Sequence, residues 1–258
     1  MIRIAILVSV ILCTQTALAR VFAFKDEWLA SYFRVSGSSS LLGQEGFKYS
    51  SGSGTTVAND VGITYSGEFG FLFHIGEMFN FRVGIEAIQT KTPTDTFGVN
   101  SSAQNLFELN HKVLVLNSNA TVEFNYFRTP TFRLYVAGGS GLASVTMDNQ
   151  YEMTATGISE LGTNSYTEKA EANVVSTHVA TGVEVLFVDA VTAVAEIGYR
   201  YLPVRELTHK NGETVIGEGG SSKDVTKGSI LTNHDGSQRS IDMSGIFIGI
   251  SFRFYIPL

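Results

Sequence analysis

The chain has 258 residues, of which 44% are hydrophobic, 16% charged and 11% aromatic, with 26 glycines and only 4 prolines. Such a composition can bury a core, so it excludes a disordered tail and is compatible with one large all-β domain. The formal net charge of −6 argues against nucleic acid as a partner.

The first nineteen residues have the three parts of a secretory signal peptide. Arg3 supplies a positive charge, residues 4–12 form an apolar stretch, and Ala17-Leu18-Ala19 offers small residues for cleavage. The apolar stretch is shorter than the ~20 residues that a membrane-spanning helix needs. We therefore predict that residues 1–19 are a cleaved signal peptide and that residues 20–258 form the mature domain.

The one cysteine, Cys13, lies inside this signal peptide. It follows Leu12, where a lipoprotein signal would have a small residue, so lipid anchoring is not expected. The mature chain would then contain neither disulfides nor a thiolate metal site, and its stability must come from the fold.

Along the mature chain, apolar residues recur at every second position, which is the pattern of β-strands. Between residues 63 and 75, for example, Phe69, Phe71 and Phe73 share one face, and Glu68 and His74 lie on the other. Eight strands are predicted, at residues 28–36, 63–75, 81–87, 114–126, 132–145, 178–187, 191–201 and 246–256. The strand at 132–145 is rich in glycine, and its phase is ambiguous.

The predicted connections alternate between short and long. The short ones are residues 76–80, 127–131 and 188–190, and the long ones are residues 37–62, 90–110, 147–172 and 203–240. A soluble sandwich has no reason to place every long loop at one end, whereas an outer-membrane barrel has short periplasmic turns and long outer loops.

The faces of the strands separate a membrane barrel from a soluble one. A soluble barrel is apolar inside, but here the charged strand residues lie on the face opposite to the Phe, Ile and Val series. Aromatic residues also collect at both ends of the strands, as in the two interfacial girdles of a membrane barrel. We therefore predict an all-β fold, a transmembrane antiparallel up-and-down β-barrel of about eight strands, located in the bacterial outer membrane.

The polar face would turn charged residues of both signs into the lumen. They are Glu68, Glu86, Glu123, Glu184 and Glu196, with Arg82, Arg133, Arg200 and Arg253. An eight-stranded barrel is just wide enough for side chains to fill it, so a closed, salt-bridged core is the simpler interpretation. The alternative is a gate whose ion pairs exchange partners.

Other candidate chemistry is sparse. The five histidines have no metal-ligand spacing, and Gly139-Ser140-Gly141 lies within a strand and opens no helix, so it is no nucleotide fingerprint. Ser176, His178 and Glu184 share one face and come nearest to a catalytic set. We predict no catalytic, cofactor-binding or metal residues. The acidic stretch at 147–172 is interpreted as solvated surface, with divalent cations near lipopolysaccharide as the alternative.

In its signal peptide, its Tyr- and Phe-flanked strands, its alternating loop lengths and its charged lumen, the chain resembles small eight-stranded outer-membrane proteins of the OmpW-like, OmpX-like and OmpA membrane-domain type. The resemblance is architectural and carries over no functional residues. Phe252, Phe254, Ile256 and Leu258 are similar to the C-terminal signal of such barrels, which implies recognition by the barrel-assembly machinery. The chain departs from that signal by ending in Leu rather than Phe.

Three functions from different classes stay open. The first is a structural or surface-interaction barrel that presents its extracellular loops, especially residues 203–240. The second, implied by the OmpW-like resemblance, is a narrow porin-like channel for small solutes, and the third is a lipid-A-modifying enzyme. We expect outer-membrane lipid, lipopolysaccharide and the assembly machinery as partners, and no cofactor.

Overall fold

The computed structural model describes residues 24, 27–41, 56–57, 61–90, 97–216, 222–234 and 236–256. The predicted signal peptide and the C-terminal Leu258 lie outside the described residues, so the predictions about them stay predictions. Fifteen strands and one helix are described: β1 (Leu29–Leu41), β2 (Thr56–Val57), β3 (Val61–Ile75), β4 (Phe79–Thr90), β5 (Phe97–Val99), β6 (Asn105–Arg128), β7 (Phe132–Met153), α1 (Ala155–Leu161), β8 (Tyr166–Val188), β9 (Val191–Tyr201), β10 (Pro203–Val204), β11 (Thr208–His209), β12 (Glu213–Ile216), β13 (Ser222–Val225), β14 (Ile241–Asp242) and β15 (Gly245–Tyr255).

Eight of these strands close into a barrel. The order around the ring is β1, β3, β4, β6, β7, β8, β9 and β15, and β15 pairs with β1 to complete it. Each pair is antiparallel and joins neighbours along the barrel wall. The predicted eight-stranded, up-and-down fold is confirmed, and closure leaves the membrane-embedded strands without a free edge.

The three short turns all lie at one end of the barrel, as predicted. They join β3 to β4, β6 to β7 and β8 to β9 through residues 76–78, 129–131 and 189–190. Gly76 has a φ of 77°, a left-handed conformation that glycine adopts without steric cost. This is the periplasmic end in the predicted topology.

At the opposite end, β1 and β4 run a few residues further than predicted, to Leu41 and Thr90, and three strands are much longer. β6 begins at Asn105, β7 continues to Met153, and β8 begins at Tyr166. The prediction of long loops is therefore wrong at residues 37–41, 61–62, 90 and 105–110 and at both ends of 147–172, and the short strands β2 and β5 lie within the first two of these predicted loops. The central part of the second connection contains the short helix α1, which Thr154 caps by accepting a hydrogen bond from Gly157 N at 3.0 Å.

These extensions escaped prediction because the polarity of the two faces reverses along each strand. On β6, Leu116 and Val122 point outward and Asn117 and Glu123 inward. On the N-terminal side of Leu114 the outward residues are polar and the inward ones, apart from His111, are apolar. The outward apolar face of residues 114–126 spans roughly 30 Å at the usual rise and tilt of barrel strands. This length matches a bilayer, so the part of β6 before Leu114 projects into the extracellular water.

β7 and β8 reverse in the same way. On β7 the outward face changes from Leu142 to Ser144 and the inward face from Arg133 to Val145. On β8 the outward apolar series ends at Val175. Above the bilayer the exterior faces water, so the ordinary arrangement of a soluble barrel returns there.

The last extracellular connection fills the outer mouth of the barrel. We call its described residues, 202–216, 222–234 and 236–244, the outer plug. Six of its apolar side chains join a buried cluster with inward residues of β4, β6, β7 and β8: Leu202, Val204, Leu207, Leu231, Ile241 and Met243. The outer half of the lumen is thus packed with hydrocarbon, whereas the half within the membrane is polar.

Among the described residues, no helix has the length and apolarity needed to cross a membrane.

Candidate functional site

The charged residues predicted for the lumen form the candidate site. The structure places all nine on the inward faces of strands β3, β4, β6, β7, β8, β9 and β15, each 5% exposed or less. Along the strands, these inward residues alternate with lipid-facing residues such as Phe69, Ile85 and Ile248. Because side chains alternate between the two faces of each strand, all nine point to the inside of the barrel and form one buried column.

Near the periplasmic end, two arginines hold two glutamates. Arg133 contacts Glu184 at 2.5 Å, and Arg253 contacts Glu184 at 2.8 Å and Glu123 at 2.6 Å. Thr192 also donates to Glu184, and Asn80 donates to Glu123 at 3.0 Å. Charge-assisted bonds of this kind are the strongest hydrogen bonds in proteins.

The column continues toward the outside without a break. Arg82 bridges Glu123 at 3.2 Å and Glu196 at 3.1 Å. Arg34 then contacts Glu196 at 2.5 Å. From the first arginine to this point the carboxylates and guanidinium groups alternate.

The outer end of the column is a branched cluster around Arg34. Its guanidinium contacts Glu68 at 2.5 Å and Glu86 at 3.4 Å. Arg200 contacts Glu86 at 3.1 Å and donates to Ser38 at 3.1 Å. All the predicted residues belong to this one network, which we call the lumen network.

Arg34 is the member that sequence reasoning missed. It lies on β1 between Tyr32 and Ser36, in the strand whose pattern is least regular. With Arg34, five arginines face five glutamates, so the network is balanced. The excess of one glutamate in the predicted set was the signal that could have found it, because an unpaired buried carboxylate is costly.

Three tyrosine hydroxyls donate hydrogen bonds to glutamate oxygens of the network. Tyr32 donates to Glu68 at 2.5 Å, Tyr135 to Glu196 at 2.8 Å, and Tyr255 to Glu184 at 2.9 Å. The rings of Tyr32 and Tyr135 also lie 5.5 and 5.3 Å from the guanidinium carbons of Arg82 and Arg253. Each of these two arginines is thereby held by a carboxylate and an aromatic face at once.

Glycines on neighbouring strands make room for these rings. A Cβ at Gly182 would lie 2.4 Å from Cζ of Tyr135, closer than any real contact. In the strand whose phase was ambiguous, Gly139 and Gly141 are likewise positions where lumen side chains lie against bare backbone, whereas Gly138 points outward.

The periplasmic entrance is closed by an aromatic residue from ahead of the first strand. Phe24 is 2% exposed and packs edge-on against Tyr255, with ring centroids 6.1 Å apart. Its ring also lies 4.7 Å from the guanidinium carbon of Arg133. The lumen network is thus capped below by Phe24 and above by the outer plug.

The three residues nearest to a catalytic pattern do not combine. His178 Nε2 contacts Thr121 Oγ1 at 3.0 Å, and Ser176 donates to Asn117 at 2.9 Å. Glu184 is occupied by two arginines, as described above. Within the described ranges, no group of three His, Cys, Asp or Glu side chains could hold a metal ion.

A second buried ion pair lies in the extracellular half, where no site was predicted. Arg239 of the outer plug contacts Glu168 of β8 at 2.5 Å. Burial acts to lower the pKa of Arg239, but the adjacent Glu168 carboxylate outweighs it, so the pKa is raised. Glu168 had been interpreted as part of a solvated acidic surface, and the structure corrects this because it is 3% exposed.

The fold and the outward apolar band define an integral membrane β-barrel. No protein-family model matches the sequence, and no curated protein matches it either.

Among solved structures, the fold is similar to bacterial outer-membrane proteins. OprG of Pseudomonas aeruginosa aligns with a TM-score of 0.49 at 11% identity, over 93% of this chain and 100% of that chain. The outer-membrane protease OmpT of Escherichia coli aligns with a TM-score of 0.46 at 8% identity, over 93% and 100%. Neisserial surface protein A aligns with a TM-score of 0.39 at 11% identity, over 88% and 99%.

Proposed function

We propose that this chain is a closed barrel of the bacterial outer membrane, reached by export through its signal peptide, with a structural or surface-interaction role through its extracellular part. The observation that carries the proposal is the lumen network, an unbroken series of ten paired charges across the membrane-embedded lumen.

A solute could pass this network only if ion pairs separated inside a dehydrated lumen. Arg82, Arg253 and Glu123 are each 2% exposed or less, so water would not replace the partner that is lost. Leaving one member of a buried pair without its partner costs about 3–5 kcal/mol. A series of such barriers supports a closed lumen rather than a narrow channel.

The same pairing argues against catalysis in the lumen. Every carboxylate of the network is engaged by arginine, and His178 and Ser176 are bonded to Thr121 and Asn117. No group in the network is left as a nucleophile beside a free base. We therefore assign no enzymatic activity to this site.

The extracellular half supports a surface role because it is folded. The extensions of β6, β7 and β8 form a continuous ladder in which the exposed residues Lys112, Asp148 and Lys169 lie in register. The outer plug packs beneath this ladder. A rigid polar surface just above the bilayer suits contact with lipopolysaccharide or with a partner protein.

Planar-bilayer recording on the refolded mature chain tests the closed barrel. We expect only small, infrequent currents, because side chains from all eight strands meet across the lumen. A porin inserted into the same membranes controls for insertion. A large and steady single-channel current from the unmodified protein would refute the proposal and favour the channel for small solutes.

A further inference from the structure

We propose that the outer plug is a detachable lid, and that the ion pair between Arg239 and Glu168 is the latch that holds it in the barrel mouth. The lid is a second closure, separate from the lumen network, so it goes beyond the function proposed above.

The plug is bonded mainly to itself. Leu231 N donates to Leu207 O at 2.8 Å, Met243 N donates to Leu202 O at 3.0 Å, and β12 pairs with β13. Its ladder to the barrel wall is short: Thr208 and His209 of β11 oppose Glu171 and Ala170 of β8, and Lys210 N donates to Lys169 O at 2.8 Å. By contrast, β6 and β7 pair along most of their 24 and 22 residues. Little backbone hydrogen bonding would have to break for the plug to leave.

Besides this short ladder, the plug is joined to the wall by hydrogen bonds from Lys169 N to Glu213 Oε1 at 3.1 Å and from Ile216 N to the Tyr166 hydroxyl at 3.3 Å, by apolar packing and by the latch. The packing holds the plug closed by keeping its six apolar side chains from water, but it is nondirectional, whereas the latch has a defined geometry and fixes the position of the plug. Arg239 Nη1 donates to Glu168 Oε2 at 2.5 Å, and its other nitrogens contact Asn233 Oδ1 at 3.2 Å and Thr232 O at 3.3 Å. Arg239 thus binds its own loop with one side of the guanidinium and the barrel wall with the other.

On the barrel wall, neighbouring polar groups hold the Glu168 carboxylate in place to bind the guanidinium of Arg239. Oε2 of Glu168 also accepts from Asn149 Nδ2 at 2.9 Å and lies 3.5 Å from the Tyr151 hydroxyl. A cavity of about 250 Å³ borders the latch, with Glu168, His209 and Thr232 among its lining residues. The space beside Glu168 gives its carboxylate room to move when the ion pair opens.

Cysteine accessibility on intact cells tests the lid. Val145 is fully buried on β7 within the cluster that the plug covers, and the only native cysteine lies in the predicted signal peptide. We expect the Val145→Cys protein to resist a membrane-impermeant maleimide. Adding Arg239→Ala should raise the labelling rate on the order of a hundredfold, because it leaves a buried carboxylate unpaired.

Matched variants separate the latch from general damage. Lys227→Ala, at an exposed position of the same plug, should leave the slow rate unchanged, and the exchange of Glu168→Arg with Arg239→Glu should restore protection. Heat-modifiable migration on a gel reports whether each barrel is folded. If Arg239→Ala does not fold, Arg239→Lys serves instead, since it keeps the charge but loses the bonds to Asn233 and Thr232, and should label at an intermediate rate.

Two results would overturn the lid. One is fast labelling of Val145→Cys with the latch present, and the other is full protection in a folded Arg239→Ala protein. Conductance distinguishes this proposal from the closed barrel, because Arg239→Ala alone should open the mouth to the label while the lumen network continues to block current.

Discussion

At the scale of single residues, the lumen is defined by complete pairing of charge. Five arginines and five glutamates meet in one column, and tyrosine hydroxyls take up remaining acceptor positions. A guanidinium stays charged when dehydrated and presents several donors in a fixed plane. One arginine can therefore bridge two carboxylates on different strands, as Arg82 does.

Removing one member of the network should destabilise the barrel strongly. We expect Arg82→Ala and Glu123→Ala each to lower the free energy of unfolding by about 3–5 kcal/mol, because the partner is left charged and buried. Urea unfolding in detergent micelles, followed by gel migration, measures the loss. Lys223→Ala, at an exposed residue of the outer plug, is the control, and an equal shift in all three variants would contradict the pairing.

Glycine at position 182 should be required by the ring of Tyr135. A methyl group there would lie 2.4 Å from Tyr135 Cζ and force the ring away from Glu196. We expect Gly182→Ala to cost about 1–3 kcal/mol, the usual range for overpacking. Gly138→Ala is the matched control, since its nearest neighbour would be 4.0 Å away. The same thermal midpoint for both variants would show that the ring is not confined.

At the scale of elements, the long strands each pass through two environments. β6, β7 and β8 are lipid-facing and apolar outside in the membrane, then water-facing and polar outside above it. The inward faces change in the opposite sense, from the lumen network to the cluster beneath the outer plug. The same continuous strands therefore enclose a polar, ion-paired core within the membrane and an apolar core above it.

This reversal predicts that the cost of an outward-facing charge on β6 depends on whether its position lies within the bilayer or above it. Val122 and Asn110 both point outward from this strand, the first within the apolar band and the second above it. Val122→Arg should cost on the order of 2–4 kcal/mol, the range for arginine at the bilayer midplane, whereas Asn110→Arg should have little effect. Folding titrations into lipid vesicles measure both, and similar costs would mean that the membrane boundary is misplaced.

At the scale of the whole molecule, the barrel is closed at three levels. Phe24 covers the periplasmic entrance, the lumen network fills the membrane-embedded part, and the outer plug occupies the extracellular mouth. The short turns at one end and the folded extensions at the other give the molecule a clear polarity across the membrane.

Epitope insertion should report this polarity. Tags between Ser101 and Ser102 or between Asn211 and Gly212 lie at exposed positions of the extended end, and a tag at Pro130 lies in an exposed short turn. We expect antibody binding on intact cells for the first two and only after permeabilisation for the third. The reverse pattern would invert the topology. Gly157 is unsuitable for a tag because it packs against Leu106 O of β6.

The barrel and most of its lumen follow from the sequence because both depend on the alternation of side chains along a strand. Faces alternate strictly in extended chain, so Glu68, Arg82 and Arg253 could be assigned to the interior before any pairing was known. The short turns were equally clear, since a tight turn interrupts the pattern for only a few residues. The outward positions of Ile85 and Ile248 follow from the same rule.

The tertiary structure decided what depends on neighbours that are distant in sequence. Arg34 joins the network because β1 lies between β3 and β15, and Glu168 is buried because Arg239, 71 residues away, folds back onto it. The extensions of β6, β7 and β8 could not be recognised from the sequence. Their side chains still alternate at every second position, but the outward face changes from apolar to polar where the strand leaves the lipid and enters water. The alternation of side chains determines which residues share a face of a strand. Only the tertiary structure determines whether that face contacts lipid, water or side chains from other strands.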